Sequence, residues 1–312
     1  MGELTYSVII PVYKNEENIS RLLSALRDMY ISLEKKLEVV FVVDGSPDRS
    51  FEILKGELKS LPMPTQLIAH SRNFGSFPAI RTGLASARGN FFGVMAADLQ
   101  EPPELLVQFF KSLASDECDV AIGTRSARND PFFSKIASGI FWGLYRKFVV
   151  KDMPEGGIDV FGCNNLFRQE LLKLEESRSS LIALIFWLGF RRKPISYERE
   201  ERLEGKSSWT FSKKVDYMMD SIFAFTDYPI RLLMKIGAVG SLLSICLALI
   251  IAIARAFGYI EVPGYAATIL AILILGALNL FGLGLVGTYA WRAYENSKHR
   301  PLSVVSQKLT NE

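Results

Sequence analysis

From residue 7 to about residue 125 the chain alternates short, continuous apolar runs with longer stretches whose apolar residues recur every three or four positions. The runs SVIIPVY, EVVFVVDGS, TQLIAHS, FFGVMAAD and CDVAIGTR are rich in Val, Ile and Phe and alternate little. Strands of that kind suit a sheet covered on both faces. Between them the spacing predicts helices over 16–30, 48–61, 76–88 and 102–115. Ser46 and Asp48 are capping candidates for the second, and two prolines open the fourth. Strands alternating with helices imply an α/β domain with a mostly parallel sheet. No internal repeat, low-complexity linker or sharp boundary interrupts this part before about residue 209.

The pattern changes toward the C-terminus. Residues 236–254 are 19 positions without a charge, and 262–291 are a second uncharged run of 30. As a helix the first spans about 28 Å, close to the thickness of a bilayer's hydrocarbon core. Two buried core helices would be the soluble alternative, but soluble helices rarely stay uncharged on every face for so long. Only Arg255 and Glu261 charge the link, while Arg231, Lys235, Arg292, Lys298, Arg300 and Lys308 flank the other ends. The positive-inside rule therefore predicts a multi-pass hairpin in the inner (plasma) membrane, at about 236–254 and 265–291, with both termini in the cytoplasm. Just before it, KKVDYMMDSIFAFTDYPIRLLMK spaces Val215, Met218, Met219, Ile222 and Phe223 three and four apart beside basic residues. That spacing predicts an amphipathic helix in the membrane interface, with packing against the domain as the alternative. The expected division is 1–208 as the soluble domain, 209–231 as the interfacial segment, 232–292 as the hairpin and 293–312 as a cytoplasmic tail. Gly276, Gly282, Gly284 and Gly287 would permit close helix contact, so a homo-oligomer stays open.

Composition narrows the function. In 312 residues that are 49% apolar, the net charge of +3 gives no reason to expect nucleic acid. Cys118, Cys163 and Cys246 are few and scattered, and His70 and His299 are the only histidines. Neither a zinc site nor a disulfide framework is expected, and a reducing compartment fits. The start, MGELTYSVIIPVY, has no basic region ahead of its apolar run, so a secretion signal is not expected.

Polar residues collect where the strands end. Tyr13 and Glu16 follow the first strand, Asp44 ends the second, Arg72 and Asn73 follow the third, and Asp98 with Gln100 follow the fourth. Helix capping accounts for one such acid as readily as a ligand does. Four successive polar ends on one rim point to a site, because ligands of open α/β sheets bind beyond the carboxyl ends of the strands. No GxGxxG follows any strand of this domain and no GxxxxGK[ST] occurs, which disfavours a dinucleotide fold and a P-loop.

In order, PVYKNEENI, VVDGSPDRS, RNFGSFPAIRTGLASARG, AADLQEPPE and RLEGKSSWTF, ahead of an apolar hairpin, resemble the family 2 glycosyltransferases of the GT-A fold. The similar branch is that of the polyisoprenyl-phosphate glycosyltransferases, with dolichol-phosphate mannose synthases and bactoprenol glucosyltransferases. The resemblance implies a Rossmann-like GT-A domain with a mostly parallel sheet, followed by the interfacial helix and the hairpin. It implies nucleotide binding by Pro11, Tyr13, Glu16, Asp44, Arg72 and Asn73. It assigns a divalent metal, Mg2+ or Mn2+, to Asp98 and Gln100, and a catalytic carboxylate to Asp159 beside Asp98. Arg202 and Ser207 match a loop that closes over phosphate, and Lys206, Lys213 and Lys214 are further cations for a lipid phosphate. Two departures stand out: Ala96 replaces an acid two residues before Asp98, and Ser208 replaces a lysine.

The function so implied is inverting transfer of a hexose, with glucose the expectation, from a UDP-linked donor to polyprenyl phosphate at the cytoplasmic leaflet. GDP-mannose as donor is a same-class alternative. A nucleotide-binding membrane scaffold without catalysis is the rival that Ala96 and Ser208 motivate. A transport role is disfavoured because the hairpin's apolar core carries no acid or base. No Gln-x-x-Arg-Trp motif suggests a processive synthase.

Overall fold

A computed structural model describes residues 4–125, 139, 143, 145–147, 149–154, 157–158, 160–176, 179–199, 211–257 and 264–311. Along the chain run β1 (Tyr6–Val12), α1 (Ile19–Ser32), β2 (Leu37–Val43), α2 (Ser50–Glu57), β3 (Thr65–His70), α3 (Ser76–Ser86), β4 (Phe91–Val94), α4 (Pro103–Ala114) and β5 (Val120–Arg125). They are followed by β6 (Phe161–Asn164), α5 (Asn165–Lys173), α6 (Leu181–Trp187), β7 (Arg192–Tyr197), α7 (Phe211–Phe225), α8 (Tyr228–Ala256), α9 (Tyr265–Ser297) and β8 (Val305–Thr310).

The eight strands form one sheet in the order β7-β5-β6-β4-β1-β2-β3-β8. β1 pairs in parallel with β2 and β4, β2 with β3, and β5 with β7, whereas β6 and β8 run antiparallel to their neighbours. The expected α/β class with a mostly parallel sheet is thus observed. Every residue of β2 is buried, Glu38 included, as suits a central strand of otherwise apolar sequence covered on both faces. α4 lays Leu105, Leu106, Phe109, Phe110 and Leu113 against the sheet. The ring of Tyr6 meets Phe110 at 4.9 Å between centroids. At the amino end of the sheet, the buried Glu38 accepts from Ser7 Oγ at 2.8 Å and Arg88 Nε at 3.0 Å, which ties down the turn into β4.

Chain order on either side of β1 reverses, with β2 on one flank and β4 on the other. The carboxyl ends of β1 and β4, on either side of that reversal, are the usual ligand position in such sheets. This places the strand-end residues of β1 to β4 along a single edge.

The expected tail needs correction. Residues 305–310 form β8, which pairs with β3 in the register Leu67↔Leu309 and Ile68↔Lys308. Its polar, exposed sequence conceals this because the bond is made by backbone groups along an otherwise open edge. The chain divides into two compact units, one of Met1–Met218 with Arg300–Glu312 and the other of Met219–His299. In the second unit α8 and α9 carry most of the large exposed apolar side chains. Both are long and apolar enough to cross a membrane and fit a hairpin. Within the same unit, Asp220 Oδ1 accepts from Arg292 Nη2 at 2.5 Å, and Phe223 meets Tyr289 edge-on at 5.2 Å.

Candidate active site

The loops after β1 and β2 are clasped together by reciprocal bonds. Lys14 N–H donates to Ser46 Oγ at 2.8 Å, and Asn15 N–H to Ser50 Oγ at 3.2 Å. Glu16 N–H donates to Asp48 Oδ2 at 3.1 Å, while Arg49 N–H donates to Glu16 Oε2 at 2.9 Å. Asp48 also accepts from Ser46 Oγ at 2.6 Å and Ser50 Oγ at 2.8 Å. Burial alone would push the Asp48 carboxyl up, but these hydroxyls and the Glu16 and Ser50 N–H groups outweigh it, leaving it below the usual carboxylate range. Ser46 and Asp48, expected as simple caps, therefore hold two loops in register. Pro11 sits within β1 opposite Val42, and Tyr13 is half-buried at the strand's end.

Asp44 is 3% exposed. Its Oδ1 accepts from His70 Nδ1 at 2.8 Å and Phe74 N–H at 2.9 Å, and its Oδ2 from Gly75 N–H at 2.7 Å. Gly45 follows at φ +56°, where a Cβ would lie 2.2 Å from the carbonyl carbon of Arg72. Only glycine lets the loop after β3 approach so closely. Arg72 is exposed, with its guanidinium 4.0 Å above the Phe74 ring and Nη1 donating to Asn73 O at 3.1 Å. Asn73 is exposed beside it. Asp44, Arg72 and Asn73, predicted together, are brought together.

After β4 the chain turns through Leu99 at φ +53°, a left-handed conformation that costs a leucine about 1–2 kcal/mol. Such strain persists only where the surroundings impose it. Leu99 is 5% exposed, and the turn sets Asp98 and Gln100 on either side of it. Gln100 N–H lies 3.4 Å from Asp98 Oδ1, and Gln100 Oε1 accepts from Arg199 Nη2 at 2.5 Å. Arg199 was not foreseen; it stands just past β7, and nothing local in its sequence marks the contact.

The donors fit only a lightly held metal. Among the described residues no three His, Cys, Asp or Glu side chains gather as ligands. Ala96 offers no donor, and the Gln100 oxygen already serves a guanidinium. A hard cation gripped through the Asp98 carboxylate, with water and phosphate oxygens completing its shell, is compatible with that set. Asp159, Arg202, Lys206 and Ser207 lie outside the described residues. Lys213 and Lys214 fall in α7, their side chains likewise outside the described set.

Residues 7–174 match glycosyl transferase family 2. CsbB of Bacillus subtilis (strain 168), provisionally named a glycosyltransferase, is 33% identical over 96% of this chain and 91% of its own length. The undecaprenyl-phosphate 4-deoxy-4-formamido-L-arabinose transferase of Photorhabdus laumondii is 32% identical over 98% of this chain and 96% of its own. The bactoprenol glucosyl transferase of Shigella phage SfV is 28% identical over 97% and 98%. With the family match covering more than half of the chain and these relatives nearly all of it, the protein belongs to glycosyltransferase family 2.

Proposed function

We propose that this glycosyltransferase moves a hexose, glucose in the first instance, from a UDP-linked donor to polyprenyl phosphate at the cytoplasmic leaflet. The observation that carries the donor is the state of Asp44. An ionised carboxylate offers about four acceptor positions. Three are taken by His70, Phe74 and Gly75, two of them on Oδ1. One position on Oδ2 remains, which suits the single imino N–H of uracil. Guanine presents two adjacent donors that a carboxylate takes with both oxygens, and Oδ1 is occupied.

The acceptor is supported by the two relatives named for bactoprenol and undecaprenyl phosphate, and by two helices fit to cross a membrane. A lipid phosphate with a second pKa near ~6 is largely dianionic at neutral pH. It is therefore already a nucleophile, and a single displacement at the anomeric carbon inverts the configuration there. In this reading Asp44 and the clasped loops orient the nucleoside, and the exposed Arg72 meets the charged part of the nucleotide. Asp98 would hold a divalent ion, which would supply charge neutralisation to the departing diphosphate. Arg202, Lys206, Ser207, Lys213 and Lys214 receive the lipid phosphate, and Asp159 orients it.

Purified protein in detergent, given polyprenyl phosphate and a panel of labelled nucleotide sugars, tests this. Transfer from UDP-glucose is expected, together with a drop of about 10²-fold or more in Asp98→Ala, a size usual for losing a group that stabilises the leaving charge. UDP binding without transfer to any lipid phosphate would instead favour the scaffold. Transfer from GDP-mannose alone would overturn the donor assignment.

A further inference from the structure

Behind Asp44 a file of polar side chains leads away from the rim. His70 Nδ1 lies 2.8 Å from Asp44 Oδ1, and His70 Nε2 lies 2.9 Å from Thr82 Oγ1 on α3. Thr82 Oγ1 in turn lies 2.8 Å from Ser303 Oγ. The His70 side chain is 0% exposed. An ionised carboxylate only accepts, so the ring proton belongs on Nδ1. In the neutral ring Nε2 then accepts from the Thr82 hydroxyl, whose oxygen is left to accept from Ser303. Every donor has one acceptor, and all the bonds point toward Asp44, an arrangement in which each bond polarises the next.

Ser303 belongs to the segment that follows α9. That segment is held in place by its own backbone: Ser71 N–H donates to Val304 O at 2.9 Å, and Ser306 Oγ donates to Ala69 O at 3.0 Å. β8 then continues along β3 to Thr310. The last donor of the file is thus supplied from a part of the chain more than two hundred positions away, at a separation of 221 residues from Thr82.

We propose that His70, Thr82 and Ser303 are positioning residues for nucleobase selection, acting through Asp44. By filling Oδ1 and fixing the carboxylate's rotation, the file leaves one acceptor on Oδ2 and so favours a base with a single donor. Loss of the His70 N–H frees an acceptor on Oδ1, which admits the paired donors of guanine. The proposal rests on the reading of Asp44 as the base acceptor, and the two fail differently.

The test is calorimetric titration of UDP and GDP into the full-length protein in detergent. His70→Phe is expected to weaken UDP by about fivefold or more, the worth of roughly one hydrogen bond, while GDP binding is unchanged or improved, so that the UDP/GDP ratio falls. His70→Asn, whose amide N–H stands in for Nδ1, restores most of the ratio. Ser303→Ala and Thr82→Val shift it in the same direction by about two- to threefold, as expected for a partner one or two bonds removed. Lys308→Ala, exposed on β8, leaves both affinities alone. Equal weakening of UDP and GDP, or no rescue by asparagine, reduces the file to a structural role and overturns the proposal. Should His70→Phe fail to fold, an unchanged ratio in Ser303→Ala and Thr82→Val overturns it on its own. If Asp44→Asn impairs UDP binding but these variants do not, only the inference falls; if Asp44→Asn binds UDP normally, the reading beneath it falls as well.

Discussion

Asp48 shows how one carboxylate serves several neighbours. It takes hydroxyl donors from Ser46 and Ser50 and the N–H of Glu16, joining two loops that a sequence places 32 positions apart. Because those donors favour the ionised form and hold its pKa down despite burial, its contribution to stability is complete above the unfolded value near ~3.9. The contribution is lost as pH falls through the lower folded value. Asp48→Asn is therefore expected to melt below wild type at pH 6, with the gap closing only as the pH falls below about 4, read by thermal denaturation at a series of pH values. Asp48 stands before a helical pattern and was expected to cap it, but the cap position of α2 is Arg49, with no side-chain bond. The clasp was not legible either, since its other half comes from Glu16 on a different loop.

At the level of elements, the packing of α4 sets the orientation of β4 and hence of the turn carrying Asp98. Phe110 is 0% exposed and lies against Tyr6 of β1, while Gly93 of β4 leaves so little room that a Cβ there would come within 3.0 Å of the Phe110 ring. Truncating such a side chain removes transfer energy and leaves a cavity. Phe110→Ala should cost about 3–5 kcal/mol, seen as a lower denaturation midpoint, and should reduce turnover through the displaced Asp98 turn. The helices and first five strands were readable because their periods are 3.6 and continuous-apolar over lengths that suit each. β6 and β7 were not: β6 is only four residues and contains Gly162, and β7 includes Pro194 with mixed exposure on an edge. Short strands of this composition gain their stability from neighbours, not from local preference.

For the molecule as a whole, α8 and α9 leave their apolar faces uncovered, as expected of helices whose partner is lipid. The charge bias around them predicts that a thiol reagent unable to cross membranes labels Tyr259→Cys from outside in intact cells, and labels Gln307→Cys only after the membrane is opened. The reverse pattern would invert the hairpin and place β8 on the wrong side for a cytoplasmic nucleotide. β8 itself alters the picture of the soluble unit: the chain leaves the sheet after β7 and returns to it only at residue 305.

The amino-acid sequence by itself determined the α/β class, the membrane-length helices and the row of polar strand ends, because period, run length and charge bias are properties of neighbouring residues. It also carried the ordered motifs of family 2, of which the first four fall within the matched residues 7–174. Tertiary structure alone decided that the polar C-terminal residues become a strand, that Arg199 takes the Gln100 oxygen, and that His70, Phe74 and Gly75 occupy Asp44. Each of those outcomes depends on which donor reaches which acceptor across tens or hundreds of positions. Hydrogen bonds are directional and saturable, so their pairing follows from the folded geometry and leaves no periodic trace along the chain.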